Sequence, residues 1–356
     1  MKDLYKQLDI NPGATSTKLS YFENETEIWK VSITHEAADL AGYDSVAAQM
    51  PYRKALIEKV LAEKGVEISS LDAISGRGGT FRHIPSGTYR VGETVIRDIL
   101  NPVGSEHASN LGAYLARELG EPYGVPAFFT DPVSVDELND YARLSGLKGI
   151  ERDSYFHALN QKSVARKAAK LLGKKYEELR LIVIHLGGGV SVAAHEFGRV
   201  TDVYNVLDEG AMGMDRPGTV PVNGLIDLCY SGISKTDVKK LVHSQAGVFS
   251  YLGTKSFLEM EQRAFEKNDP EALLVYRTFV YQLAKDAGAM FAVLKGKCDA
   301  IVYTGGMAYS DRLIGDLNEY IGSFAPAVRL PGEEEMRSLA EGTLRVLRGE
   351  TEASEY

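Results

Sequence analysis

Leu181-Ile-Val-Ile-His-Leu-Gly-Gly-Gly-Val-Ser-Val-Ala-Ala-His195 is the most informative segment of the sequence. It predicts a buried apolar strand, a glycine-rich turn at Gly187-Gly188-Gly189, and a second strand of small and β-branched residues. Glycine in a hairpin turn allows positive φ and lets another group approach the backbone closely. Successive N–H groups in such a turn form a concave anion site, and Ser191 can add a hydroxyl donor. By itself the segment is read equally well as a plain tight hairpin.

A second copy changes the balance. Leu8-Asp-Ile-Asn-Pro-Gly-Ala-Thr-Ser-Thr-Lys-Leu-Ser-Tyr-Phe22 is again an apolar strand, a polar turn and an alternating strand. Aligned on the turns, Gly13 falls on Gly189 and Thr15 on Ser191. Two such hairpins half a chain apart predict a duplicated architecture, each half supplying one jaw around a polyphosphate. Thr15, Ser16 and Thr17, beside Asn11, are costly to bury without an acceptor, which favours a phosphate ligand over a structural turn.

Composition sets the frame. At 356 residues, two domains are expected. A hydrophobic content of 44% and a charged content of 25% are those of an ordinary globular protein. The net charge of -9 argues against nucleic-acid binding by phosphate neutralisation. The two cysteines, Cys229 and Cys298, lie in apolar stretches and read as buried small hydrophobes in a reducing compartment. No signal-peptide pattern and no apolar run of membrane-spanning length is present, so a cytoplasmic location without membrane association is expected.

Taken in order, the first hairpin ends near Trp29-Lys30, with Glu25-Thr26-Glu27 as an exposed edge. Val46, Leu56, Ile57, Val60 and Leu61 recur at helical spacing between Ser45 and Lys64, with Pro51 bending or interrupting the element. Ser69 to Gly79 is a strand running into a loop that presents Arg77 among glycines. A guanidinium there suits carboxylate or phosphate, although a solvated loop arginine is an equal reading. A short amphipathic helix from His107 ends at Gly120. Val125 to Pro132 is a strand ending at Asp131, where ligands bind in α/β sheets, or where an aspartate simply forms a turn before proline.

Phe156-His-Ala-Leu-Asn-Gln161 leads into a helix from Lys162 to Leu172, and His157 alone reads as a core histidine. Leu207 to Gly218 is a long loop carrying Arg216, of the kind that tends to be functional. Helices follow near Asn223–Tyr230, Lys235–His243 and Pro270–Lys295, the last with proline near its start. Asp299-Ala-Ile-Val-Tyr-Thr-Gly-Gly-Met307 is a strand ending in a double glycine, a place for a nucleotide to approach backbone. Arg329-Leu-Pro-Gly-Glu-Glu-Glu-Met336 opens a final helix to about Gly349, and the last residues form a frayed tail.

Together these features resemble the acetate kinase branch of the actin-like ATPase superfamily, most closely butyrate kinases and branched-chain fatty-acid kinases. The residues carrying the resemblance are Ile10-Asn-Pro-Gly-Ala-Thr-Ser-Thr-Lys-Leu19, Phe156-His-Ala-Leu-Asn-Gln161, His185-Leu-Gly-Gly-Gly189 and Leu330-Pro-Gly332. It implies two α/β domains of actin-like (ribonuclease H-like) type, with mixed sheets, flanking helices and an interdomain cleft. Residues 1–152 with 332–356 would form the first domain and residues 153–331 the nucleotide-binding second. The implied activity is ATP-dependent, reversible phosphorylation of a short-chain carboxylic acid to an acyl phosphate and ADP, in a homodimer or larger oligomer using Mg²⁺.

The same resemblance assigns roles. Arg77 and Arg216 would grip the carboxylate and the transferring phosphoryl group, and His157 would donate to that phosphoryl, with Phe156 beside the acyl tail. Asn11, Asp131 and Glu334 or Glu335 would surround the metal ion. Gly13, Thr15, Ser16, Thr17, His185, Gly187, Gly188 and Gly189 would line the phosphates, and Gly305, Gly306 and Ser310 would hold adenosine. Gln161 stands where acetate kinases carry a second histidine, and Gly188 where they carry asparagine; the Ala-Leu-Asn-Gln form is the one that butyrate-type kinases show, which points away from acetate. A carboxylate nucleophile is already ionised at pH 7, so no general base is required. Alternatives are an acetate or propionate kinase, a nucleotide-driven switch or filament protein of the actin and chaperone type, and a sugar kinase using Asp131 as base.

Overall fold

The computed structural model describes residues 2–103 and 106–356, and the chain divides into two units. The first holds the N-terminal residues through Asp136, Ala158–Asn160 and Glu334–Tyr356; the second holds Glu137–His157 and Gln161–Glu333.

In the first unit, β1 (Lys6–Pro12), β2 (Ser16–Glu23) and β3 (Thr26–Thr34) form an antiparallel meander. β4 (Ala73–Gly76), β5 (Thr88–Arg90) and β6 (Ala127–Thr130) complete a sheet of order β3-β2-β1-β4-β6-β5. β1, β4 and β6 are parallel, so their carboxyl ends share one edge of the sheet. That edge carries Asn11, Arg77 and Asp131. Alternation along β1 sorts the faces. Leu8 and Ile10 pack with Ile57 and Leu61 of the Met50–Lys64 helix and with Leu111 and Leu115 of the Leu111–Gly120 helix. Gln7 and Asn11 meet the Glu335–Leu347 helix on the opposite face, through Gln7 Nε2 to Ala340 O (3.0 Å) and Asn11 Nδ2 to Glu335 Oε2 (2.6 Å).

The second unit repeats the plan. β7 (Arg180–Leu186), β8 (Val190–Glu196) and β9 (Arg199–Val203) form a meander, and β10 (Ala300–Gly305) and β11 (Ala327–Pro331) add parallel to β7. Its order, β9-β8-β7-β10-β11, matches β3-β2-β1-β4-β6 strand for strand and direction for direction. Leu181 and Val183 pack under Val164, Ala165 and Ala168 of the Ala158–Leu171 helix. Ile182, Ile184 and Tyr303 pack under Phe279 and Leu283 of the Pro270–Val293 helix. A sheet covered on both faces takes apolar side chains at every position, which is why 181–186 reads as one run broken only by His185.

The fold is the two-domain mixed-sheet α/β architecture expected, with local corrections. Strand pairing sets Asn11 opposite Lys18 and His185 opposite Ser191, so Ser191 corresponds to Lys18 and not to Thr15. The two turns differ in length, and an alignment on glycine alone could not register that. The first hairpin continues into β3 as far as Thr34. Pro51 sits in the first turn of its helix, where its missing N–H costs nothing, and interrupts no element. The helix after His157 begins at Ala158. Cys229 is exposed, on the Val222–Cys229 helix, which buries no residue; Cys298 is half-buried and burial raises its thiol to about 11.

Candidate active site

In the first unit Arg77 leaves β4 with its N–H bonded to Ile10 O (2.8 Å), continuing the β1 pairing for one more residue. Its side chain pairs with Glu335, with the two side chains 12% and 26% exposed. Burial pushes the Glu335 carboxyl up, but the Arg77 charge and hydrogen bond, the Asn11 amide and Lys18 outweigh it, and the net shift is downward. Glu335 is therefore a carboxylate at neutral pH. This separates the acidic pair: Glu335 engages Asn11 and Arg77, while Glu334 is exposed at the helix start. Arg77 also keeps a buried Nε–H with no acceptor in the structure.

Asp131 lies just past β6 at φ 40° and is 1% exposed. Its Oδ1 accepts from Ser86 Oγ (2.6 Å) and from Gly87 N (2.8 Å), so it closes the loop before β5. Turn residue and strand-end acid prove to be the same position.

The hydroxyl row after Gly13 divides. Thr15 is exposed and Ser16 half-buried, but Thr17 is fully buried. Thr17 Oγ1 accepts from Arg53 Nη1 (2.9 Å) and lies 2.8 Å from His35 Nε2. Its burial is thus satisfied by protein groups, and the argument that these hydroxyls demand a ligand fails at Thr17. Arg53, 1% exposed, also donates to Gly13 O (3.0 Å) and to Gln49, and so buttresses the turn from behind. Sequence reasoning passed over Arg53, whose only signal is a charge on the inner face of an otherwise ordinary helix.

In the second unit none of Gly187, Gly188 and Gly189 has a positive φ, and neither does Gly13. The glycines serve close approach instead. A Cβ built on Gly189 would lie 3.1 Å from both Arg216 Nη1 and His157 Cε1 and 3.2 Å from His157 Nε2. Two nitrogen-bearing side chains therefore converge on one glycine. Arg216 retains a buried Nε–H without an acceptor, and its loop is clamped by Gly213 N to Arg216 O (2.9 Å) and Val248 N to Gly213 O (3.1 Å). His157 stacks on His185, ring centroids 3.8 Å apart and planes within 10°. His185 Nε2 lies 3.1 Å from Glu333 Oε1, and Phe156 is 1% exposed.

Beside this turn is a pocket of about 360 Å³, lined by Gly187, Gly188, Met214, Lys255, Phe257, Gly306, Met307 and Glu333. The lining mixes glycine backbone and two charged side chains with apolar and aromatic groups, a composition that suits a ligand with a polar and an apolar part. Lys255 Nζ pairs with Asp215 (3.0 Å) and lies over the Phe249 ring. Sequence reasoning missed Lys255 and Phe257; the Gly253-Thr-Lys-Ser256 break between helices was the available signal. Gly306 opens on the pocket, whereas Gly305 is packed at φ +86° against Leu186. Ser310 caps the Asp311–Ile321 helix, accepting from Leu313 N (3.0 Å) and donating to Glu261 (2.5 Å).

Residues 143–317 match the model of the Acetokinase family. The structure is similar to that of Porphyromonas gingivalis acetate kinase, with a TM-score of 0.80 at 19% identity, over 96% of this chain and 100% of that one. Entamoeba histolytica acetate kinase gives 0.78 at 15% identity, over 95% and 98% of the two chains. A propionate kinase from Francisella tularensis subsp. tularensis SCHU S4 gives 0.77 at 17% identity, over 95% and 98%.

Proposed function

We propose that the chain is an acetokinase-family enzyme that transfers the γ-phosphoryl group of ATP to the carboxylate of a short-chain fatty acid, reversibly. The products are an acyl phosphate and ADP. The observation that carries this reading is the convergence of Arg216 Nη1 and the His157 ring edge on Gly189, next in the chain to the pocket-lining Gly187 and Gly188. Phosphoryl transfer calls for positioning and for donors on the equatorial oxygens more than for covalent help. Arg216 in the second unit has an unanswered buried Nε–H that can supply such a donor, and Arg77 in the first unit carries the same unanswered group. The ionised acid attacks without a base.

The residues also fit Mg²⁺. Among the described residues no group of three or more His, Cys, Asp or Glu side chains converges. Mg²⁺ bound with a nucleotide needs only one or two protein oxygens, with water and phosphate completing its shell. Glu335, held ionised, and Asn11 would hold it, with Asp131 on the same sheet edge. An ion held by these residues would supply positive charge for phosphate oxygens.

Butyrate or a branched relative is the acid we favour, on the Ala158-Leu-Asn-Gln161 sequence after His157. Acetate or propionate is the second reading, compatible with the family match. The test is hydroxylamine trapping of acyl phosphate from Mg-ATP and a panel of short acids. The highest kcat/KM is expected for C4 and C5 acids, with Arg77→Ala lowering it ~10³-fold while circular dichroism stays unchanged. Equal turnover with and without any acid would remove the proposal.

A further inference from the structure

Behind His157, within the second unit, runs a buried chain of hydrogen bonds that the proposed chemistry does not yet use. His157 Nδ1 lies 2.9 Å from Ser191 Oγ. Gln161 Nε2 faces both Ser191 Oγ (2.7 Å) and Ser191 O (3.1 Å). Gln161 Oε1 lies 2.9 Å from His195 Nε2, and His195 Nδ1 lies 2.7 Å from Tyr176 Oη. Gln161 and His195 are completely buried, and Ser191 and Tyr176 nearly so.

One atom orients the whole chain. Ser191 O is a backbone carbonyl and can only accept, so the amide of Gln161 must present its nitrogen there and its oxygen to His195. The remaining protons can then follow one another along the chain. Gln161 gives its second N–H to Ser191 Oγ, which leaves the Ser191 hydroxyl proton for His157 Nδ1. On the other side Gln161 Oε1 accepts from His195 Nε2–H. His195, whose burial beside Lys162 and Arg166 keeps it neutral, therefore accepts from the Tyr176 hydroxyl at Nδ1.

We propose that Tyr176, His195, Gln161 and Ser191 are positioning residues that fix neutral His157 as its Nε2–H tautomer. The nitrogen aimed at the Gly189 turn is thereby a donor with no need for an imidazolium. The catalytic value of this device rests on the kinase reading above; the tautomer itself does not. It also gives Gln161 a chemical task, since only a side chain that donates on one side and accepts on the other can transmit this direction.

The experiment is two-bond ¹H–¹⁵N correlation of the histidine rings in ¹⁵N-labelled protein between pH 6 and 8, with His157 assigned by the signal lost in His157→Gln. A protonated Nε2 and bare Nδ1 are expected for His157. Ser191→Ala should mix the two tautomers and lower kcat about tenfold, the equivalent of one lost hydrogen bond, with KM for ATP and acid within about twofold. Ser191→Thr, which keeps the hydroxyl, should restore both. Gln161→Glu, which only accepts, should turn the Ser191 hydroxyl around and move the His157 proton to Nδ1. A wild-type His157 protonated at Nδ1, or a tautomer indifferent to both Ser191→Ala and Gln161→Glu, overturns the proposal. The ring signals are read without turnover, so absence of acyl phosphate formation would remove the kinase reading and leave the relay standing.

Discussion

A methyl group added at Gly189 would sit 3.1 Å from Arg216 Nη1 and His157 Cε1, whereas one added at Gly305 would sit 2.4 Å from Leu186 O. The first neighbours are side-chain ends that can retreat; the second is the backbone of β7. Gly305 also has φ +86°, a conformation strained for any other residue. The two positions should therefore respond differently to the same change. Gly189→Ala is expected to leave the urea midpoint within experimental scatter and to lower kcat at least tenfold by displacing both donors. Gly305→Ala is expected to lower unfolding free energy by about 2 kcal/mol or more. A destabilised Gly189→Ala with normal turnover would show that the turn is structural only.

At the scale of elements, the arginine-bearing loop after β9 is held by the Pro270–Val293 helix. Ala211 N donates to Asp286 Oδ2 (2.6 Å) and Met212 N to Gln282 Oε1 (2.8 Å). Burial raises the Asp286 carboxyl to about 7, against the opposing Ala211 hydrogen bond and Lys285. Folded protein thus binds a proton that unfolded chain releases near its ordinary 3.8. Linkage then makes stability fall as pH rises from about 4 to about 7, and level off above. Amide protection at Ala211 and Met212, corrected for intrinsic exchange, should be higher at pH 5.5 than at pH 8. Asp286→Asn keeps an acceptor and cannot titrate, so its protection should be flat across that range. Equal wild-type protection at both pH values would show that this carboxyl does not govern the loop.

For the whole molecule, one sheet plan used twice has acquired two sets of groups. The first unit has Arg77 and Asn11 at its strand ends, with Glu335 at the start of the Glu335–Leu347 helix; the second has the glycine turn, Arg216, His157 and the pocket. On the proposed function, ligands should protect these sets separately. ADP alone is expected to slow amide exchange at Gly187–Gly189, Lys255–Phe257 and Gly306. A short-chain acid alone is expected to slow it at Arg77–Gly79. Nucleotide protection confined to the first unit would contradict the assignment of the pocket. No helix among the described residues is long and apolar enough to cross a membrane.

Much of this was legible along the chain. The buried run 181–186, its repeat at the start, and the strand ends carrying Arg77 and Asp131 follow from residue type and short-range periodicity, which act over a few neighbours. Of the two things glycine allows in such a turn, positive φ and close approach, the structure uses the second at Gly189. Only the tertiary structure brings Glu335 to Asn11, 324 residues away. It alone joined Arg53 to Thr17 and drew Lys255 and Phe257 to the pocket. It also linked His157 through Ser191 and Gln161 to His195. Polar partnerships have no period and no fixed spacing; they depend on where folding sets two atoms, and hydrophobic patterning determines the elements without determining which polar ends will meet.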